Sequence, residues 1–275
     1  MTAPTKHTLT AARDGYNLSV TVIPAAREDA PWIVFGNSLM TDQTIWNDQV
    51  DALAGDFGLL LYDQAGHGAS GVPQAPFDFD DLGADVLAVM DAASVDKAIY
   101  VGLSMGVPSG LSAHKMASDH FTALVFSDGQ AKTAPGGAAG WAERIENARL
   151  SGMKEFANAT ADRWLTSGAT VEMRDRLVTM MAATPFDGFA TCATALMDYD
   201  YAGELAAITC PTLLLVGAED GAMPQGMATK LQPAISGSVL HEIKGAGHVP
   251  CLEQPAAFNA HLLHFIQTVS SEGAA

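Results

Sequence analysis

Six short apolar runs, each cut off by turn residues, constrain this chain most: Trp32–Phe35, Gly58–Tyr62, Ala98–Val101, Ala123–Phe126, Thr212–Val216 and Val239–Ile243. Runs this short, without polar alternation, fit strands buried on both faces of a parallel sheet. Helical spacing returns between them. It is clearest where Leu82, Val86, Val89, Met90 and Ala93 share one face behind Asp80, the expected N-cap. Strand then helix, repeated, predicts an α/β protein with a mostly parallel central sheet. Ahead of it, the alternating stretches His7–Ala12 and Tyr16–Ile23 flank Asp14-Gly15, which predicts an N-terminal antiparallel hairpin.

The rhythm breaks between about Ala131 and Asp198. Helical patterns such as Trp141–Leu150 and Met173–Ala183 follow one another there with no strand between them. The predicted organisation is a core of residues 1–130 and 199–275 with an inserted helical lid, 131–198. Charge separates the two parts. The chain carries 14 Lys and Arg against 31 Asp and Glu, a formal net charge of −17. Yet Lys132, Arg144, Arg149, Lys154, Arg163, Arg174 and Arg176 all fall in the insertion. So acidic a chain is not expected to bind nucleic acid, because phosphate binding depends on clustered cations. No apolar run is long enough for a membrane span, and the polar N-terminus does not read as a secretory signal. Cys192, Cys210 and Cys251 show neither a metal-ligand spacing nor a disulfide framework, which makes a reducing cytoplasm the expected location. A homo-oligomer is compatible with the sequence.

Gly102-Leu103-Ser104-Met105-Gly106 lies between the run Ala98–Val101 and the helical stretch Val107–Ser118. A Gly-x-Ser-x-Gly in a strand–turn–helix setting is a nucleophile elbow, holding its serine strained and exposed at a helix N-terminus. A serine hydroxyl needs a base, and His248 in Gly245-Ala246-Gly247-His248 is the best candidate. His7, His114, His120, His261 and His264 read as surface or packing residues, and His67 as a loop brace. For the acid that orients the base, Asp220 stands in the chain order Ser, Asp, His, with Asp128 as the alternative and Glu219 a weaker rival. Two N–H donors must hold a developing oxyanion. Met105 follows the nucleophile, and Leu39 lies in the loop after the run Trp32–Phe35. The glycines near His67 lack dinucleotide spacing, and neither an organic cofactor nor a metal is expected.

Asn37-Ser38-Leu39 with Thr41-Asp42, Asp63-x-x-Gly66-His67-Gly68-x-Ser70, the elbow and Gly247-His248 together resemble the α/β-hydrolase superfamily across nearly the whole chain. The Asn-Ser-Leu loop and the stretch Trp141-x-x-Arg144, Arg149-x-x-Gly152-Met153 to Arg163-Trp164 are similar to the 3-oxoadipate enol-lactonase group. The resemblance implies an α/β-hydrolase fold and hydrolysis of a small, anionic lactone or ester. Arg144 and Arg149 are then expected to anchor its carboxylate, with Trp141, Trp164 and Phe186 as apolar wall. Two departures stand out. Met40 replaces a glycine usual in the group and is expected to narrow the pocket mouth, and Ser127-Asp128-Gly129-Gln130 adds a carboxylate near the substrate path. The alternatives are a related hydrolase of an acyl-homoserine lactone, an amide or formamide, or a carbon–carbon bond, and a catalytically silent hydrolase-fold receptor.

Overall fold

The computed structural model describes residues 5–74, 76–221 and 226–272. Its centre is an eight-stranded sheet: β1 (His7–Arg13), β2 (Tyr16–Ile23), β3 (Trp32–Gly36), β4 (Gly58–Tyr62), β5 (Ala98–Leu103), β6 (Phe121–Ser127), β7 (Thr212–Gly217) and β8 (Val239–Ile243). The spatial order is β1-β2-β4-β3-β5-β6-β7-β8. β1 and β2 form the expected hairpin, and β2 runs antiparallel to β4. All remaining pairs are parallel. β4, β5 and β7 are buried along their whole length, as unbroken apolar runs in the middle of a sheet must be. β8 departs from the expectation of burial on both faces. It is an edge strand with β7 as its partner, and Val239 and Glu242 reach solvent.

Helices α1 (Asn47–Leu53), α2 (Phe79–Ala92), α3 (Gly106–Met116) and α8 (Pro255–Glu272) flank the sheet, α2 packing on α3 and α1 on α8. The cap of α2 is Asp78 rather than Asp80. Asp78 accepts from the N–H groups of Asp80 and Asp81 while the Asp81 side chain accepts from the Asp78 N–H, a reciprocal capping box. Asp80 instead accepts hydrogen bonds from the hydroxyls of Ser112 and Tyr201.

Four helices separate β6 from its neighbour β7: α4 (Gly137–Ser151), α5 (Met153–Trp164), α6 (Val171–Ala183) and α7 (Phe186–Ala195). The two ends of this excursion meet in a neck. The Thr133 N–H donates to the Tyr199 carbonyl at 2.9 Å and the Tyr201 N–H to the Ala131 carbonyl at 2.8 Å. Among the described residues no helix is long and apolar enough to cross a membrane.

Candidate active site

Loops leaving the C-terminal ends of β3, β5, β6, β7 and β8 converge on one cavity of about 490 Å³. Its lining includes Leu39, Ser104, Met105, Asp128, Asp220 and His248. The carboxyl ends of parallel strands are where loops can gather side chains without disturbing the ladder.

Ser104 sits between β5 and α3 with φ 53°, a left-handed conformation that costs a non-glycine residue about 1 kcal/mol or more. Its N–H donates to the Ser127 carbonyl at 2.8 Å and its carbonyl accepts from Val107 at 2.9 Å, which fixes the strained turn. Two glycines make that turn sterically feasible. A Cβ on Gly102 would strike the Gly106 carbonyl, and one on Gly106 would strike the backbone of Gly36.

His248 Nε2 lies 2.8 Å from Ser104 Oγ, and Nδ1 lies 2.8 Å from Asp220 Oδ2. A carboxylate accepting at Nδ1 assigns the ring proton to that nitrogen and leaves the Nε2 lone pair facing the serine hydroxyl. Such a chain can pass a proton from Ser104 to His248. Glu219 is exposed, its N–H donating to the Ala246 carbonyl at 3.0 Å. Asp128 lies at the end of β6, 1% exposed and with φ 48°. The Ser127 hydroxyl donates to it at 2.6 Å and the Gly217 N–H at 2.8 Å. Burial, and then the charge of neighbouring Asp220, hold its carboxyl well above the usual carboxylate range. Asp128 thus lines the cavity as the sequence led one to expect, with its carboxyl tied to Ser127 and Gly217.

Leu39 and Met105 both face the cavity, and among the described residues neither backbone N–H has a protein acceptor. The Leu39 loop is pinned from below. Asn37 donates to the Tyr62 carbonyl at 2.7 Å and accepts from the buried Trp46 indole at 2.8 Å. His67 is the brace expected of it: Nε2 accepts from the Met40 N–H at 2.9 Å, while Nδ1 faces the Ala65 carbonyl at 2.9 Å. That pair of partners requires a neutral ring, and complete burial pushes its pKa down to about 4. Met40 has φ 63°, a conformation glycine adopts without strain. Its side chain does not narrow the mouth. It is buried and lines a separate inner recess of about 50 Å³ with Leu39, Phe156, Thr160 and Phe189.

From the inserted helices, Trp141, Arg144 and Trp164 reach the cavity as expected. Arg149 does not. It points to solvent, paired with Glu146 through two hydrogen bonds of 2.8 and 2.6 Å. The five-residue step explains this, since five positions turn an α-helix by about 140° and carry Arg149 off the face that holds Trp141 and Arg144. Phe186 also misses the cavity, its place in the apolar wall taken by Phe156 and Phe189 around the inner recess. Arg163, which sequence reasoning missed, lines both spaces. Its guanidinium donates to the Thr160 hydroxyl at 3.2 Å. Arg144 lies over the Trp141 ring at 4.5 Å, and desolvation followed by the Arg163 charge lowers its pKa. Two cations with no ion-pair partner among the described residues thus share one wall of the cavity.

Comparison with known proteins agrees with this architecture. The family model described as the alpha/beta hydrolase family matches residues 33–261. The 3-oxoadipate enol-lactonase 2 of Acinetobacter baylyi is 32% identical over 92% of this chain and 94% of that protein. The crystal structure of the enol-lactonase from Burkholderia xenovorans LB400 superposes with a TM-score of 0.86 at 30% identity, covering 94% of this chain and 100% of that one. A more distant relative from Azorhizobium caulinodans, with the provisional name carbamate hydrolase RutD, is 28% identical over 80% of this chain and 85% of its own.

Proposed function

Because the chain belongs to the alpha/beta hydrolase family, we propose that it hydrolyses a small lactone or ester bearing a carboxylate, of the 3-oxoadipate enol-lactone kind. Ser104 is the nucleophile, His248 the base, Asp220 the residue that orients it, and the N–H groups of Leu39 and Met105 the oxyanion donors. The observation that carries this reading is the shared cavity. The hydroxyl–imidazole–carboxylate chain, two unengaged N–H donors and the cations Arg144 and Arg163 all open onto it.

In this mechanism Ser104 Oγ attacks the acyl carbonyl as its proton passes to His248 Nε2. The tetrahedral oxyanion is held by Leu39 and Met105, and the ring C–O bond then breaks as His248 protonates the departing oxygen. Water, deprotonated by the same histidine, cleaves the acyl-enzyme. The inserted helices act as a lid over this chemistry, with Trp141 and Trp164 as apolar wall. Arg144 and Arg163 hold the remote carboxylate, which a guanidinium binds through paired hydrogen bonds.

The test is turnover of 3-oxoadipate enol-lactone beside a neutral nitrophenyl ester, an N-acyl-homoserine lactone and a carbamate. Ser104-dependent loss of the enol-lactone at the highest kcat/KM supports the reading. Faster cleavage of the carbamate, or of the neutral ester, overturns the substrate and leaves the nucleophile in place. Turnover that survives Ser104→Ala overturns the mechanism.

A further inference from the structure

Glu253 ends the short helical turn Pro250–Glu253, is 5% exposed, and has no part in the proton relay. Its carboxyl joins two segments that the sheet does not connect. Oε2 accepts the Gly247 N–H at 2.7 Å, one residue before His248. Oε1 accepts both the N–H of Thr166 at 2.7 Å and its hydroxyl at 2.9 Å, two residues beyond the end of α5. A second bond repeats the connection, because the His248 N–H donates to the Trp164 carbonyl at 2.8 Å. The Trp164 and His248 rings lie 4.6 Å apart at 51°. The approach is close enough to require glycine at 247, where a Cβ would collide with the Trp164 carbonyl and crowd Glu253 Oε2.

The backbone just before and at His248 is therefore held by the end of an inserted helix as much as by β8. We propose that Glu253 is a positioning residue for His248, making the placement of the base depend on the seating of α5. With Trp164 and Thr166 docked, the imidazole stands between Ser104 and Asp220. When that end lifts, the Glu253 bridge and the Trp164 carbonyl draw the Gly247–His248 turn away with it. Substrate against the Trp164 wall thus acts on the base through two hydrogen-bonded links. The inference rests on the relay assigned above.

Glu253→Gln replaces one acceptor oxygen with an NH₂ group, so either the Gly247 N–H or the Thr166 pair must lose its partner. Thr166→Val removes the hydroxyl donor on the α5 side and leaves the N–H. In each variant the kcat and KM of a nitrophenyl ester are measured beside the downfield imidazole N–H resonance of the His248–Asp220 bond, assigned by its loss in Asp220→Asn. The expected result for Glu253→Gln is a kcat lower by about 10- to 100-fold, the scale of a small misplacement at a reacting centre, with KM nearly unchanged. The resonance weakens or shifts in protein that circular dichroism shows to be folded. Thr166→Val gives the same changes at smaller size. An unperturbed resonance in both folded variants, or a kcat loss that merely tracks the unfolded fraction, overturns the proposal. Should the parent hydrolyse neither the enol-lactone nor the nitrophenyl ester, the relay reading fails while the resonance still decides whether Glu253 sets the histidine.

Discussion

Ser104, Asp220 and His248 stand on turns whose backbone is locked by buried hydrogen bonds, whereas Arg144 and Arg163 stand at the solvent edge of two inserted helices with few partners. Close approach of backbones fixes the first group. The second is placed only by how the helices dock. The difference separates two kinds of requirement, since a proton transfer tolerates small errors in distance poorly, while a charge acts over a longer range. On this reading the strand ends supply the reaction and the insertion selects the substrate.

The sharpest way to break that division lies within the strand-end group. Asp220→Asn is expected to lower kcat by about 10⁴-fold, because an amide no longer fixes the histidine tautomer. Asp128→Asn should cost less than about 10-fold, since its carboxyl is bonded to Gly217 and Ser127 rather than to the imidazole. A larger loss from Asp128→Asn than from Asp220→Asn would transfer the acid's role to β6.

Next in size is a contrast across the insertion. Arg144→Ala and Arg163→Ala should each lower kcat/KM for an anionic lactone by about 5- to 10-fold, the modest effect of exposed charges. A neutral ester should change little, and Arg149→Ala should leave both substrates alone. Equal losses on both substrates would mean that the arginines shape the cavity rather than read a charge.

A stability measurement sharpens the comparison from the strand-end side. His67 has its folded pKa near 4, below the ordinary value of 6.5, so the unfolded chain binds the extra proton between those limits. Its contribution is therefore greatest above pH 6.5 and is lost as pH falls toward 4. The unfolding free energy of the parent relative to His67→Gln should rise by roughly 3 kcal/mol over that window and stay flat above it. Denaturant melts at a series of pH values measure this directly. The smallest effect is expected at a feature remote from both groups: Asp78→Ala, which removes the α2 capping box, should cost about 1 kcal/mol with unchanged kcat.

The strand-end group was legible in the sequence because its signals are local. Apolar runs ending in turns predict the sheet, and the glycines around Ser104 and before His248 mark where backbones must approach closely. The acid remained ambiguous between Asp220 and Asp128, since each ends a strand and only the sheet geometry brings one of them to Nδ1. In the insertion, local signals predict helices but not which way they face. Arg144 and Arg149 were both named through the resemblance of the stretch that begins Trp141-x-x-Arg144, and helical arithmetic keeps the first and argues against the second. Arg163, Phe156, Phe189 and Glu253 were missed because each acts across a gap between elements. Their roles depend on docking, which no periodicity within one helix records. Asp80 was taken for a cap for a simpler reason: three aspartates crowd the start of α2, and only backbone geometry distinguishes among them.

The neck that joins Ala131 and Thr133 to Tyr199 and Tyr201 has a bearing on ancestry. An excursion whose two ends already lie side by side can be exchanged for another of different length without re-threading the strands on either side. Selection can then try new covers over an inherited reaction centre, provided that each replacement also supplies a carbonyl for the His248 N–H and donors for Glu253. That condition makes the segment after α5 the expected point of greatest conservatism in an otherwise replaceable part of the molecule.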